Sequence, residues 1–90
     1  MPVLEKNLFV FGKLEEMAQM LTKLNDENRA KSFTRAANTV RDLETDISEV
    51  KNLQSLAGVG KSIEKEIKQL LEKQTTTRYE ELTQAVKDAE

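Results

Sequence analysis

The sequence predicts an all-α protein, a compact bundle of four to five short helices. Three observations lead to this prediction. Apolar residues recur at helical spacing along nearly the whole chain, there is a single proline at position 2, and no stretch alternates apolar and polar residues for long. With 90 residues, the chain is expected to form one small domain over residues 1–90.

The first two helices are predicted from their apolar faces. Asn7 is expected to cap the first helix, whose apolar face would be formed by Val10, Leu14, Met17, Ala18 and Leu21. The polar residues 25–28 then break the helix. A second helix is expected to carry a row of mostly apolar residues on one side, namely Ala30, Phe33, Ala36, Ala37, Val40 and Leu43.

The second half of the chain predicts three further helices. A short third helix would contain Val50 and Leu53, with Asp46 or Ser48 as its cap. A fourth helix is indicated by the apolar stripe of Ile63, Ile67, Leu70 and Leu71. After a turn at residues 74–77, a last helix from about Thr77 would present Tyr79 and Leu82 to the core.

The most informative segment lies between the third and fourth helices, at residues 56–63. Gly58 and Gly60 flank Val59, and glycine lets the backbone run close to whatever it faces. The next helix begins at about Lys61, so its free N–H groups and positive dipole end would favour a phosphate. We therefore interpret residues 49–73 as a helix-hairpin-helix motif that contacts nucleic-acid phosphates through Gly58, Val59, Gly60, Lys61, Ser62, Lys65 and Lys68.

Other readings of this segment stay open. The hairpin could be a plain structural turn, and the lysine stripe could be a solvated helix face, since Glu64, Glu66 and Glu72 interleave with it. A nucleotide-binding P-loop is disfavoured, because Ser55 stands where that motif needs a glycine and no strand precedes it. The net charge of −2 also counts against strong nucleic-acid binding.

The composition excludes several classes of site. The chain contains no cysteine and no histidine, so disulfides, the usual zinc sites and cysteine or histidine nucleophiles are excluded. No apolar run approaches the roughly 18–20 residues of a membrane span, and no signal peptide is recognisable. We expect an intracellular monomer without membrane contact, nuclear if the organism is eukaryotic.

The motifs, taken in order, resemble the N-terminal domain of the family X DNA polymerases of the beta and lambda types. The first helix matches through Asn7, Val10, Leu14, Met17, Ala18 and Leu21, and the second through Phe33, Ala36 and Ala37. Ile47 precedes the third helix, and Leu56-Ala57-Gly58-Val59-Gly60 corresponds to the family's hairpin. Ile63 and Ile67 match two positions four apart in the helix that follows.

The resemblance implies non-sequence-specific binding to gapped or nicked duplex DNA, in repair or replication. It implies that no cofactor is required beyond a Na⁺ or K⁺ ion held by the hairpin carbonyls of Gln54, Leu56 and Val59. It further implies that Arg29 and Phe33 lie beside the 5′-phosphate, although Phe33 lacks the hydroxyl found in the family.

The resemblance also implies that the lyase chemistry of the beta type is lost. Glu66 stands where that type has the lysine that forms a Schiff base, and a carboxylate cannot condense with an aldehyde. A 5′-deoxyribose-phosphate lyase that uses Lys61 or Lys65 instead is the enzymatic alternative. We expect no enzyme in this chain alone, although within a longer protein it would belong to a polymerase of family X.

A protein-interaction or scaffold domain is the remaining alternative. Similar helical domains occur at the N-terminus of some structure-specific nuclease subunits. The apolar cluster of Leu8, Phe9 and Phe11 would then be the docking surface, unless these phenylalanines pack on the last helix.

Overall fold

A computed structural model describes residues 4–90. It contains the helices α1 (Glu5–Lys23), α2 (Glu27–Arg41), α3 (Lys61–Lys73) and α4 (Thr77–Ala89). Two single 3-10 turns, Ile47–Glu49 and Leu53–Ser55, lie between α2 and α3. Since residues 4–90 include no strand, the predicted all-α bundle is confirmed.

The core lies where α1 packs along α2, which is the most extensive contact between helices. Ala36 and Ala37 are completely buried on α2, and such small side chains let a neighbouring helix approach closely. Helices α3 and α4 close the remaining sides of the core through a set of buried aliphatic residues, namely Ile63, Ile67, Leu70 and Leu82.

The predicted cap of α1 is wrong. The helix begins one turn earlier, with Leu4 at the N-cap position, and Asn7 is buried inside it. The Asn7 side chain instead forms hydrogen bonds with the segment that follows α2. Its Oδ1 accepts the backbone N–H of Ile47 at 2.7 Å, and its Nδ2 donates to the carbonyl of Thr45 at 2.9 Å. Asn7 therefore fastens the segment that follows α2 to the first helix.

The predicted third helix is also wrong, because residues 47–55 form two separate 3-10 turns. The Asp46 carboxylate accepts both the backbone N–H and the hydroxyl of Ser48, at 2.8 and 2.6 Å, and these bonds hold the pKa of Asp46 below its usual value. Asn52 accepts the N–H of Gln54 in the same way at 3.2 Å. Such local bonds compete with a continuous helix, so the first arm of the hairpin motif is a single 3-10 turn.

The link between α3 and α4 is short and sharply defined. Gln74 ends α3 in the left-handed conformation, with φ at 65°. Thr76 then caps α4, because its hydroxyl accepts the backbone N–H of Tyr79 at 2.8 Å. The predicted start of the last helix at Thr77 is therefore confirmed.

None of the helices within residues 4–90 combines the length and the apolar character that a membrane-crossing segment requires.

Candidate nucleic-acid interface

The hairpin at residues 56–60 is a tight turn fixed to helix α2. Gly58 has φ at +80°, a conformation that favours glycine, and the N–H of Val59 donates to the Leu56 carbonyl at 3.1 Å. The hydroxyl of Thr39, on α2, contacts the Ala57 carbonyl at 2.8 Å. The turn is therefore held in place from its own backbone and from the neighbouring helix.

Gly58 also lies directly against the side chain of Arg35. A Cβ at this position would stand 2.8 Å from Cγ of Arg35, which is closer than van der Waals contact allows. By contrast, a Cβ at Gly60 would meet no atom within 4 Å. Gly58 thus allows the hairpin to pack closely on α2, whereas the space beside Gly60 is open.

The start of α3 presents free backbone donors at the surface. Gly60 is its N-cap residue and supplies no capping side chain, and the first helical hydrogen bond runs from the N–H of Glu64 to the Gly60 carbonyl. Gly60, Lys61 and Ser62 are all exposed, whereas Val59 is buried. The turn therefore buries its apolar residue, and the residues that carry the uncapped amide groups are exposed.

A pocket of about 410 Å³ lies beside this helix start. Helix α2 contributes Arg29, Ser32 and Phe33 to its wall, and α4 contributes Arg78. The hairpin and α3 contribute Gly58, Gly60 and Ser62. Two arginines and two serines thus contribute to the lining, and no acidic residue is among the described residues that line the pocket.

The pocket brings together five residues that the sequence had singled out, namely Arg29, Phe33, Gly58, Gly60 and Ser62. Phe33 is only 3% exposed, so its ring forms part of the wall and is unavailable for stacking on a base. Arg29 lies at the rim, where its Nε is 3.5 Å from the Asp26 carboxylate. Ser32 and Arg78 are pocket residues that the sequence did not indicate. For Arg78 the reason is that no spacing rule connects α4 with α2.

The lysines of α3 lie apart from this pocket. Lys61, Lys65 and Lys68 are exposed on the helix surface, as their spacing predicted, and Nζ of Lys68 is 4.0 Å from the Glu64 carboxylate. Lys65 lines a second, smaller cavity of about 200 Å³, together with Glu66 and Arg78. Neither Lys61 nor Lys65 is among the residues that line the larger pocket.

Glu66 is the unexpected member of this region, since it is a carboxylate buried to all but 4% of its surface. One of its oxygens, Oε2, lies 3.5 Å from Nε of Arg78. The other oxygen, Oε1, is buried without a hydrogen-bond partner among the described residues. The guanidinium carbon of Arg78 lies 6.0 Å from the centre of the Phe33 ring.

Charge is distributed unevenly around the bundle. Helix α2 carries four basic side chains, Arg29, Lys31, Arg35 and Arg41, against a single acidic one, Glu27. The segment between α2 and the hairpin has the opposite balance, with Asp42, Glu44, Asp46 and Glu49 against Lys51. The net charge of the whole chain is therefore small, although α2, the helix that the hairpin packs on, is basic.

An apolar patch lies on the outer face of α1. Leu8 is 48% exposed and Phe9 is 36% exposed. Phe11, the third residue of the predicted docking surface, is only partly buried and packs on the core, and the Arg41 guanidinium lies 5.5 Å from its ring centre. The exposed patch is thus formed by Leu8 and Phe9.

A family model described as a helix-hairpin-helix domain matches residues 5–76. The chain belongs to this family. The match includes α1, α2, the hairpin and α3, and it ends at the residue that caps α4. Helix-hairpin-helix domains in general imply DNA binding, which agrees with the exposure of the residues that carry the uncapped amides. No curated protein and no solved structure matches this sequence.

Proposed function

We propose that this domain binds the phosphate backbone of gapped or nicked duplex DNA, without reading its sequence, in repair or replication. The observation that carries the proposal is the placement of the exposed, uncapped start of α3 beside a pocket with two arginines and no lining carboxylate. Backbone amides and guanidinium groups are donors that phosphate oxygens prefer. A DNA partner would also place the protein inside the cell.

The hairpin and the pocket would have different roles. Amides at Gly60, Lys61 and Ser62 would hold a phosphate within the strand, while the exposed lysines of α3 add long-range attraction. The pocket would receive the 5′-phosphate at the edge of the gap, with Arg29 at its rim. This division of roles is the one expected from the resemblance to the N-terminal domain of family X polymerases.

A monovalent cation held by the hairpin carbonyls is part of this proposal. Sodium and potassium ions prefer oxygen ligands, and the carbonyls of Gln54 and Val59 accept no backbone hydrogen bond within residues 4–90. The Leu56 carbonyl accepts one, from the N–H of Val59, and retains a second lone pair. These three carbonyls would hold the ion, whose charge would strengthen the attraction of the hairpin for phosphate.

The test of DNA binding is a titration of a labelled, gapped duplex at low and at high salt. We expect tight binding at low salt and a steep loss of affinity as salt rises, since each neutralised phosphate releases a counterion. Ser62→Glu should weaken binding by at least about tenfold through charge repulsion, and Ser62→Gln is the neutral control. Absence of binding by the unmodified domain at low salt would disprove the proposal.

Lyase chemistry is not part of the proposed function. Residue 66 is a carboxylate, and neither Lys61 nor Lys65 is among the described residues that line the space assigned to the 5′ end. Borohydride trapping on a duplex with a 5′-deoxyribose phosphate should therefore give no covalent adduct. An adduct that disappears in Lys61→Ala or Lys65→Ala would instead establish the enzymatic alternative.

A second candidate function is docking to another protein through α1. The exposure of Leu8 and Phe9 favours it, because large apolar side chains are usually buried. A partner captured in high salt by the unmodified domain, but not by the Leu8→Ser/Phe9→Ser variant, would support this function. Loss of DNA binding in the same variant would argue against a separate docking surface.

A further inference from the structure

We infer that Glu66 is a positioning residue, which holds Arg78 of α4 in the pocket so that Arg78 selects DNA ends carrying a 5′-phosphate. This inference rests on the proposed function and adds to it the basis of end recognition. It concerns a helix that lies beyond the residues matched by the family model.

The first step is the location of Glu66. Position 66 shares one face of α3 with Ile63, Ile67 and Leu70, all of which are buried in the core. A carboxylate on such a face loses its hydration, and this loss is tolerated only when an opposite charge compensates for it. Nothing in the packing of α3 itself requires an acid at this position.

The second step is the identity of the compensating charge. The only ion-pair partner of Glu66 among the described residues is Arg78, at 3.5 Å from Nε to Oε2. The pair is poorly satisfied, because Arg78 Nε and Glu66 Oε1 are both buried without a hydrogen bond. Buried ion pairs of this kind seldom raise stability above that of an apolar pair. The presence of such a pair is therefore better explained by the orientation it gives to the arginine than by stability.

The third step is what this orientation achieves. Arg78 lines the 410 Å³ pocket, and its guanidinium also borders the smaller cavity that contains Glu66. The Nε edge lies towards Glu66, while the Phe33 ring lies 6.0 Å from the guanidinium carbon. The two remaining nitrogens of the guanidinium carry four further N–H donors. An arginine fixed in this way meets a phosphate with little loss of side-chain entropy.

The fourth step is the choice of ligand. A terminal phosphate carries a charge of about −1.5 to −2 at neutral pH, whereas a phosphodiester carries a single charge. Arg29 and Arg78 approach the pocket from two helices, and a terminal phosphate offers three free oxygens to such a pair. Two arginines that line one pocket therefore favour the phosphorylated end over the hydroxyl end.

The test compares two gapped duplexes that differ only in a 5′-phosphate or a 5′-hydroxyl at the gap. The unmodified domain should bind the phosphorylated duplex about tenfold more tightly, as expected for two charge-assisted contacts. Glu66→Gln should reduce this preference to less than about twofold, because the phosphorylated duplex loses more affinity than the 5′-hydroxyl duplex. Arg78→Lys, which keeps the charge but not the planar fork of donors, should do the same.

Controls separate a positioning role from a merely structural one. Loss of packing would weaken binding to both duplexes equally, so the ratio of the two affinities is the decisive readout. Lys87→Gln, a variant of an exposed lysine on the same helix, should leave the ratio unchanged. Circular dichroism of each variant, recorded before titration, shows whether the helices are intact, and Arg78→Lys serves as the test if Glu66→Gln does not fold.

The outcomes distinguish this inference from the proposed function. Binding of both duplexes by the unmodified domain without a preference overturns the inference alone. A preference that persists in Glu66→Gln and in Arg78→Lys also overturns it. Absence of binding to either duplex overturns the proposed function, and the inference with it.

Discussion

Two charged clusters attach α4 to the rest of the bundle, and they differ in how far water is excluded. On the pocket side, the Glu66 side chain is 5% exposed and that of Arg78 is 31% exposed. On the opposite side, Nζ of Lys13 lies 4.4 Å from the centre of the Tyr79 ring, and the Tyr79 hydroxyl donates to the Glu16 carboxylate, which is 51% exposed. Each cluster pairs a cation with a carboxylate, but the carboxylate is buried in the pocket cluster and exposed to water in the α1–α4 cluster.

This difference determines what each cluster contributes. An exposed pair gains little, because water and salt screen it and because two long side chains must be ordered. A buried pair contributes little net stability either, yet removal of one partner leaves a charge without compensation. We therefore expect the pocket cluster to be sensitive to mutation and the α1–α4 cluster to be tolerant.

The strongest test of this contrast is Arg78→Ala. Because it leaves the Glu66 carboxylate buried and unpaired, we expect the free energy of unfolding to fall by about 3 kcal/mol. Urea denaturation followed by circular dichroism measures the change. The double variant Glu66→Leu/Arg78→Met should recover most of the loss, since an apolar pair replaces the ionic one. A loss below about 1 kcal/mol in Arg78→Ala would show that water reaches Glu66.

The hairpin offers a second comparison of an enclosed with an open position, Gly58 with Gly60. Gly58→Ala should cost about 1–2 kcal/mol, because φ is +80° and the new Cβ would lie 2.8 Å from Cγ of Arg35. Gly60→Ala meets no atom within 4 Å and gives only a poorer N-cap, so it should cost less, about 0.5 kcal/mol. Thermal unfolding of the two variants gives the comparison directly. Equal losses would mean that the turn is less constrained than its backbone indicates.

On the exposed side, Lys13→Ala should have a smaller effect. It removes the cation from the Tyr79 ring and from the neighbourhood of Glu16, with an expected loss of about 0.5–1 kcal/mol. The loss should shrink in high salt, which is measured by repeating the urea titration at two ionic strengths. A loss as large as that of Arg78→Ala would remove the distinction between the two clusters.

The smallest expected effect has the opposite sign. Gln74, between α3 and α4, has φ at 65°, so Gln74→Gly should relieve strain and raise stability by about 0.5 kcal/mol. Asn25 has the same φ between α1 and α2, but asparagine tolerates this conformation better. Asn25→Gly should therefore gain less in a parallel thermal unfolding experiment, and a larger gain there would contradict the argument.

Much of the fold could be predicted because it depends on local patterns. Apolar spacing located all four helices of residues 4–90, and the turns predicted at Gly58 and at residues 74–77 lie at two of the connections. The helix predicted around Val50 failed for a different reason. Asp46 and Asn52 capture neighbouring backbone N–H groups, and two short turns replace one helix.

The site was less predictable, because its residues meet only through the tertiary structure. Gly60 could be identified from its local pattern and Arg29 from the resemblance to family X, but Arg78 follows no motif, and only the packing of α4 brings it to the pocket. The same holds for Asn7, whose side chain was expected to serve its own helix and instead bonds Thr45 and Ile47. Long-range polar contacts of this kind leave no periodic signal in a sequence.

The position of Thr76 has a practical consequence for anyone who expresses this domain. A fragment cut where the family similarity stops would contain the hairpin and all of α3, and would look complete by sequence comparison. It would nevertheless lack the guanidinium that faces Glu66 and would expose the core surface that Leu82 covers. A domain boundary taken from the family match alone would thus remove α4, the helix that supplies Arg78 to the pocket.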